Sequence, residues 1–409
     1  MNRPRTAIVI GGGIAGPATA MALARAGFEA TVYEARPDGA DSGGVMLTLA
    51  VNGIDALRAI GAGTAEAAVA GGFPTPQIVL RTHIGKRLGA TSTGGALADG
   101  TVAHTIRRAD LYQALHSQAV AHGITVLRGK RLIGAQEHPT GVRAVFADGT
   151  QAEADILVGC DGVHSTVRRL IDPAAPAPSY AGLLNTGGYA SGMTVPAAPG
   201  SYEMIFGKRA FFGYAAAPSG QVWWFANLPW RREPKHGEVQ AVSEAQWRQK
   251  FTDIYSGDAG PALQLIAATP SFAPMTPIHT IPHLGRWHTG RMIVVGDAAH
   301  APSPTSGQGA SLSIEDAVLL ATSLRDIQPA AAAFAHFQAM RRPRVEKIIK
   351  AAARINNNKA PGPAGRLARD LMLPTILRAT ANAKSAREVY DYHIDWDEPA
   401  GRVQQVTRA

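Results

Sequence analysis

The spacing of apolar residues changes along the chain, and each change marks an element. Ala7-Ile8-Val9-Ile10 is an unbroken apolar run, the signature of a short strand buried on both faces. Residues 14–26 favour a helix, which Gly27 ends. Residues 30–33 give a second strand, so 7–34 reads as strand, tight turn, helix, strand. A second helix is expected within 105–122, followed by a strand at 124–127. Residues 142–146 suggest a hairpin strand turning at Asp148-Gly149, and 155–158 another buried strand. From about Tyr180 to Pro229, glycines and aromatics alternate through "SYEMIFG", "AFFGYAAAP" and "QVWWFANLP", which predicts an antiparallel sheet. Trp247, Phe251, Ile254 and Tyr255 share one helical face. A strand returns at 292–295, and 311–387 is mainly helical. The fold class is α/β, with two interleaved parts and C-terminal helices.

Composition narrows the partners. The 409 residues can form two domains, and 46% apolar content is ordinary for a globular chain. A single cysteine, Cys160, excludes an internal disulfide framework and a thiolate zinc cluster, and it suits a reducing compartment. The net charge is +9, much of it in Arg341, Arg342, Arg344, Lys347, Lys350, Arg354 and Lys359. With Val345, Ile348, Ile349 and Ala352 on the other side, these read as the solvated face of a helix rather than a nucleic-acid patch. Arg3 and Arg5 before an apolar run imitate a signal peptide, but Gly11, Gly12, Gly13 and Gly16 interrupt it. No apolar stretch reaches the roughly 20 residues of a membrane span. A cytoplasmic protein without nucleic-acid or membrane partners is expected, as monomer or homodimer.

Those glycines carry chemistry. Gly11-x-Gly13-x-x-Gly16 stands between strand and helix, the pattern that lets a pyrophosphate approach the backbone at a helix N-terminus, here at Ile14 and Ala15. Glu34 ends the next strand, where a carboxylate binds ribose hydroxyls and repels a 2′-phosphate. Ala35 and Arg36 follow, the latter a cation near the pyrophosphate. The choice between NAD and FAD falls to "GRMIVVGDAAHAPSPTSGQGASLSIEDA". There a buried strand stops at Gly296-Asp297, and a carboxylate at that point suits the hydroxyls of a ribityl chain. Pro302 and the loop from Ser303 to Gly309 leave room for a flat ring, Gly307 and Gly309 above all. The helix starting near Ala310 and Ser311 points its positive end at the ring. FAD is therefore the expected cofactor.

With these motifs the chain resembles the single-component, class A FAD-dependent aromatic hydroxylases, which share the para-hydroxybenzoate hydroxylase fold. The dinucleotide motif with Glu34 comes first. "RRADL" follows, with Arg108, then "DILVGCDGVHSTVR", with Asp161, Gly162, Ser165 and Arg168, then the Gly296-Asp297 motif. The resemblance spans nearly the whole chain and is nearest the compact tetracycline- and antibiotic-tailoring branch. It implies a Rossmann-like FAD-binding domain of residues 1–75, 101–178 and 276–330. A β-sheet substrate domain of 76–100 and 179–275 would be interleaved with it, and 331–409 would form a helical segment. A thioredoxin-like C-terminal domain, found in the phenol hydroxylase branch, is not expected.

The resemblance also implies that Val45, Arg108, Leu132, Asp161 and Gly162 join the glycines and Asp297 around FAD. NADPH or NADH would visit without a site of its own, with Arg168 a candidate for its phosphates. With O2, a flavin C4a-hydroperoxide would deliver one oxygen atom to a bulky aromatic substrate. Hydroxylation is the expected outcome; epoxidation and Baeyer–Villiger insertion use the same intermediate. A flavin dehydrogenase, reductase or oxidase on the same scaffold stays open. The cofactor carries the chemistry, so no catalytic side chain is assigned. His300 is expected to be structural. Met204, Phe206, Phe211, Tyr214 and Trp224 are candidate substrate-lining residues, of which alternation should turn about half away. Ser311 stands where many relatives have Asn, and Asp41-Ser42 where many have an Arg. His279 and His283 are read as strand residues and not as a metal pair, because Pro282 denies them a helix.

Overall fold

Residues 5–10 form the expected first strand, with the last four residues buried. The strand pairs in parallel on both sides, as an apolar run without alternation must when helices cover both faces. The structure is a computed structural model and describes residues 4–38, 44–197, 200–356, 363–380 and 384–400. In chain order the strands are β1 (Arg5–Ile10), β2 (Phe28–Tyr33), β3 (Met46–Leu49), β4 (Gly72–Pro74), β5 (Gln77–Thr82), β6 (Arg87–Ser92), β7 (His104–Arg107), β8 (Thr125–Leu127) and β9 (Leu132–His138). They continue as β10 (Gly141–Phe146), β11 (Gln151–Ala154), β12 (Ile156–Gly159), β13 (Ser179–Ala190), β14 (Ser201–Phe206), β15 (Phe211–Ala216), β16 (Val222–Pro229), β17 (Thr276–Thr280) and β18 (Met292–Val294). The helices are α1 (Ala15–Arg25), α2 (Val51–Ile60), α3 (Thr64–Val69), α4 (Arg108–Ala121), α5 (Thr166–Ile171) and α6 (Glu244–Tyr255). After them come α7 (Ala262–Ala268), α8 (Gly309–Asp326), α9 (Ala330–Asn356), α10 (Pro363–Thr380) and α11 (Lys384–Tyr390).

Five parallel strands in the order β18-β12-β1-β2-β8 form the first sheet, and the largest core packs around it. Two three-stranded antiparallel sheets flank it, β11-β10-β9 and β3-β7-β4. The second large sheet has seven strands, β17-β13-β16-β15-β14-β5-β6. It is not wholly antiparallel, because β5 runs parallel to β14. β5 arrives from a distant part of the chain rather than through a hairpin, so its direction is free of the alternation that hairpins impose. β17 lies in the 276–330 segment expected with the FAD-binding part, yet it hydrogen-bonds to β13 in this second sheet. The chain crosses over only afterwards, where the Ile281 amide donates to the Ala301 carbonyl at 2.9 Å. Among the described residues no helix is long and apolar enough to cross a membrane.

The pleat of the seven-stranded sheet sorts its aromatics. Phe212, Tyr214 and Trp224 point to one face, which α6 and α7 cover with Trp247, Phe251, Tyr255 and Leu265. Trp224 stacks on Phe212 at 5.3 Å, and its indole N–H donates to Thr269 Oγ1 at 2.8 Å. The opposite face carries Tyr202, Met204, Trp223 and Phe225, and further along Phe206 and Phe211. Tyr214 and Trp224 are thus core residues under two helices and do not reach the face shared by Met204, Phe206 and Phe211. The sequence set all five side by side because period-2 spacing does not say which face is covered. Trp224→Ala should destabilise the protein by about 3–5 kcal/mol, the cost of a large core cavity. Chemical denaturation of the flavin-loaded protein will measure it.

Candidate active site

The turn after β1 is built by what a side chain would strike. Gly11 has φ +102°, and a Cβ there would lie 2.5 Å from the Cys160 carbonyl oxygen. A Cβ on Gly16 would lie 1.9 Å from the Gly11 oxygen, so α1 packs onto the turn only with glycine at that point. Gly13 is different, because no atom lies within 4 Å of where its Cβ would stand. The backbone is therefore open there, at the start of α1, where Ile14 and Ala15 are buried. Glu34 closes the other side. Its Oε2 accepts from the Gly12 amide at 2.6 Å and its Oε1 from the Arg36 amide at 2.8 Å, past Ala35. His116 of α4 holds the turn from behind, with Nε2 2.5 Å from the Gly12 carbonyl. Burial lowers its pKa, so the neutral ring donates that hydrogen bond. The sequence reading missed His116; its signal was a histidine on the helix face shared with Leu111, Leu115 and Ala119.

β12 leads into the second motif. The Asp161 carboxylate caps α5, accepting from the Ser165 hydroxyl at 2.5 Å and from the Thr166 and Val167 amides at 2.7 and 3.1 Å. Its backbone packs against Gly11, and Gly162 beside it, at φ +74°, is open. Arg168 departs from expectation. It is 2% exposed, and it donates to the Ala298 carbonyl at 2.9 Å and the Val163 carbonyl at 2.8 Å. A guanidinium buried in this way ties the second motif to the third and is not available to a visiting nucleotide.

The third motif explains why a buried strand stops at a carboxylate. Gly296, at φ +58°, fits between α1 and α8, where a Cβ would meet Ser313 Oγ at 2.7 Å and Ala15 Cβ at 3.2 Å. The chain turns there and projects Asp297 out of the sheet. Asp297 is exposed, but to a recess walled by protein, and desolvation raises its pKa against the pull of Arg108. A Cβ on Gly309 would be 3.8 Å from Pro302 Cγ and 3.9 Å from Asp297 Oδ1, so these three residues border one recess. Gly307, at φ +60°, is open. α8 begins at Gly309, so Ala310 and Ser311 lie in its first turn. Ser311 is buried toward α2, and its Oγ accepts from the Ala50 amide at 3.2 Å, so the hydroxyl serves packing. The Val45 carbonyl accepts from the Arg108 amide at 3.0 Å and the Tyr189 hydroxyl at 2.7 Å. Leu132 is buried at the start of β9. Asp41-Ser42 and Lys359 lie outside the described residues.

Under the recess lies an ion cluster that the sequence did not reveal. Asp316 Oδ2 accepts from the Gly296 amide at 2.8 Å and from His300 Nε2 at 2.6 Å, and its Oδ1 accepts from Arg341 Nε at 2.7 Å. Glu315 accepts from Arg341 at 2.8 Å, from Arg344 at 2.8 and 3.0 Å, and from Asn52 at 2.6 Å. Asn52 also donates to Gln308 Oε1 at 2.9 Å. The cluster therefore grips both ends of the recess loop, Gly296 and Gln308. Arg341 is fully buried and Arg344 nearly so, which corrects their reading as part of a solvated face. His279 lies in β17 and pairs with Glu233, whereas His283 lies past the strand and meets Glu346. The described residues contain no group of three or more candidate metal ligands.

An open glycine turn with a fixed acidic partner, joined to a recess bordered by a projecting carboxylate, defines a dinucleotide-binding flavoprotein. The chain belongs to the family described as FAD binding domain, whose profile matches residues 5–352. It is 33% identical over 357 residues to the aurachin C monooxygenase/isomerase of Stigmatella aurantiaca, covering 87% of this chain and 90% of that one. It is 32% identical over 396 residues to a 3-amino-4-hydroxybenzoate 2-monooxygenase of Streptomyces platensis, covering 92% and 94%. The structure of Klebsiella pneumoniae HpxO with FAD and uric acid superposes with a TM-score of 0.80 at 25% identity, covering 93% and 97%. The chain is an FAD-dependent monooxygenase that uses NAD(P)H and O2.

Burial opposes ionisation of Asp316, but His300 and Arg341 outweigh it and hold its pKa at about 2, below the usual 3.8. A lowered carboxylate pKa stabilises the fold above the unfolded value, and that stability is lost as pH falls toward the folded one. Unfolding free energy should therefore drop by about 2 kcal/mol between pH 4 and pH 2 on account of this group. Asp316→Asn, less stable at pH 7, should show a shallower decline over that window in urea titrations.

Proposed function

We propose that the protein hydroxylates a bulky aromatic compound, in natural-product synthesis or antibiotic modification. The observation that carries this reading is the tie between the recess and the face of the seven-stranded sheet that turns away from α6 and α7, where Tyr189, Met204 and Phe225 are only half-buried. Tyr189 stands on that face, and its hydroxyl reaches the Val45 carbonyl, which also accepts the Arg108 amide. Arg108 in turn acts on Asp297. A ring lying in the recess would thus look onto Met204, Phe206, Phe211 and Phe225. Relatives that act on aminohydroxybenzoate, and a neighbour that binds uric acid, support an aromatic substrate.

Each motif has a part in this arrangement. The open backbone at Gly13 and the start of α1 take the pyrophosphate, and Glu34 takes the ribose hydroxyls. Asp297 accepts from the ribityl chain, and the α8 N-terminus, from Gly309 through Ala310, favours negative charge at the ring's pyrimidine end. Asp161 and Gly162 contribute through backbone, Arg108 and Arg36 through charge, and Val45, Leu132 and Pro302 through packing. Gly296 and Gly307 keep the loop's path. Bound FAD supplies hydride acceptance from NAD(P)H and activation of O2. The protein positions the aromatic ring and keeps water out. The segments 1–75, 101–178 and 276–330 hold the cofactor, 76–100 and 179–275 the substrate, with β17 lending its edge to the second group. We place the enzyme in the cytoplasm, as a monomer or homodimer without nucleic-acid partners.

Asp297→Ala should lower FAD affinity by about tenfold or more, the value of a hydrogen bond to a charged group. Flavin absorbance after gel filtration will measure it, and full retention of FAD would remove Asp297 from the site. Under ¹⁸O2 with NADPH, 3-amino-4-hydroxybenzoate or a larger phenol should gain one labelled oxygen. Consumption of NADPH with only hydrogen peroxide formed across such a panel would count against the substrate class.

A further inference from the structure

Arg107 ends β7, one residue before Arg108, and alternation sends the two side chains to opposite sides. Arg108 works toward Asp297, whereas Arg107 reaches Tyr189 and Trp223 on the face of the seven-stranded sheet opposite α6 and α7. Its guanidinium lies 4.8 Å from the Tyr189 ring centroid and 5.0 Å from that of Trp223. Its one hydrogen-bond partner among the described residues is a neutral amide: a terminal nitrogen donates to Gln221 Oε1 at 2.6 Å. The Trp223 indole donates to the same oxygen at 3.1 Å, which fixes the amide in place. Arg107 Nε is sealed from solvent and has no acceptor among the described residues. No carboxylate among the described residues forms an ion pair with Arg107, although Asp110 is near enough to act on the Tyr189 phenol.

An arginine keeps its charge, and a half-buried one without an anion is costly. Several shielded arginines of this protein have carboxylates: Arg81 has Glu203, Arg369 has Asp370, and Arg341 and Arg344 share Glu315, while the buried Arg168 is met by two backbone carbonyls. Arg107 alone among these is framed by rings and an amide, at one end of an aromatic strip. The strip runs along β16 from Trp223 to Phe225 and across to Met204 and Tyr202; Trp223 and Tyr202 are buried in a cluster with Phe73 of β4, while Tyr189, Met204 and Phe225 are half-buried. Such a frame suits a planar aromatic body with its anionic group at the Arg107 end.

We propose that Arg107 is the anion anchor of the substrate site and that the substrate is an aromatic carboxylate, with Tyr189, Trp223 and Gln221 as the frame. The assignment rests on the reading of this sheet face as the substrate platform. It is tested by titrating the FAD-loaded enzyme with 2-naphthoate and with 2-naphthamide, equal in shape but not in charge, and following the flavin absorbance. The wild type should bind naphthoate about tenfold or more tightly than naphthamide, the value of one charge-assisted hydrogen bond. Arg107→Gln should erase that preference with flavin content unchanged, and Arg107→Lys should keep part of it. Equal affinities in the wild type, or a preference that survives Arg107→Gln, would overturn the anchor while leaving the platform in place. If neither compound perturbs the flavin, the platform reading fails and the anchor with it. A third arm separates the two sources of anion. If Arg107→Gln leaves naphthoate binding unchanged but raises the NADPH concentration for half-maximal anaerobic flavin reduction, the anion is a nucleotide phosphate and the substrate assignment is wrong.

Discussion

Asp316 accepts three hydrogen bonds where solvent does not reach, and the recess depends on them. One comes from the Gly296 amide at the point where the chain leaves the parallel sheet, one from His300 and one from Arg341. Two buried carboxylates with two arginines are near neutrality in charge, which is the condition for placing any of them there. The arrangement does not make the fold especially stable, because desolvation offsets much of the attraction. Its effect is geometric. Gly296 can turn in one place only, and Gln308, reached through Asn52, is fixed relative to it. Everything between these two residues, including Pro302 and Gly307, is strung between fixed ends.

Local patterns in the sequence reported the parts of the fold that local chemistry determines. The first strand, the glycine turn and Glu34 were legible because each follows from the chain's immediate neighbours. Gly296-Asp297 was legible for the same reason, since a carboxylate ending an apolar run needs a polar partner. The charged residues of 341–344 were not, because a count of arginines says nothing of what packs over them. Arg168 failed similarly: its motif gave its place along the chain, while its burial depends on Ala298, 130 residues away. The two faces of the seven-stranded sheet were indistinguishable before α6 and α7 were seen to cover one of them. α2 and α3 were not legible because Gly53, Gly61 and Gly63 interrupt the apolar spacing of 51–69.

The second sheet divides its work between its faces. Under α6 and α7 it packs Trp224, Phe212 and Phe251 edge to face and face to face, as a core does. On the other side, Tyr189, Trp223 and Phe225 lie beside residues that belong to the flavin half. The same strands therefore pack under two helices in one direction and against the flavin half in the other, and a substitution's effect depends on the parity of its position.

The C-terminal segment gives this architecture a practical consequence. Arg344 donates to the carbonyls of Glu388 and Val389, Tyr392 lies 3.9 Å under the same guanidinium, and His393 meets Asp55 of α2. The last described stretch is thus stitched to the helices that hold the recess loop. Anyone shortening this chain for crystallisation, or fusing a partner close behind residue 400, would be altering the cofactor's foundations from the outside.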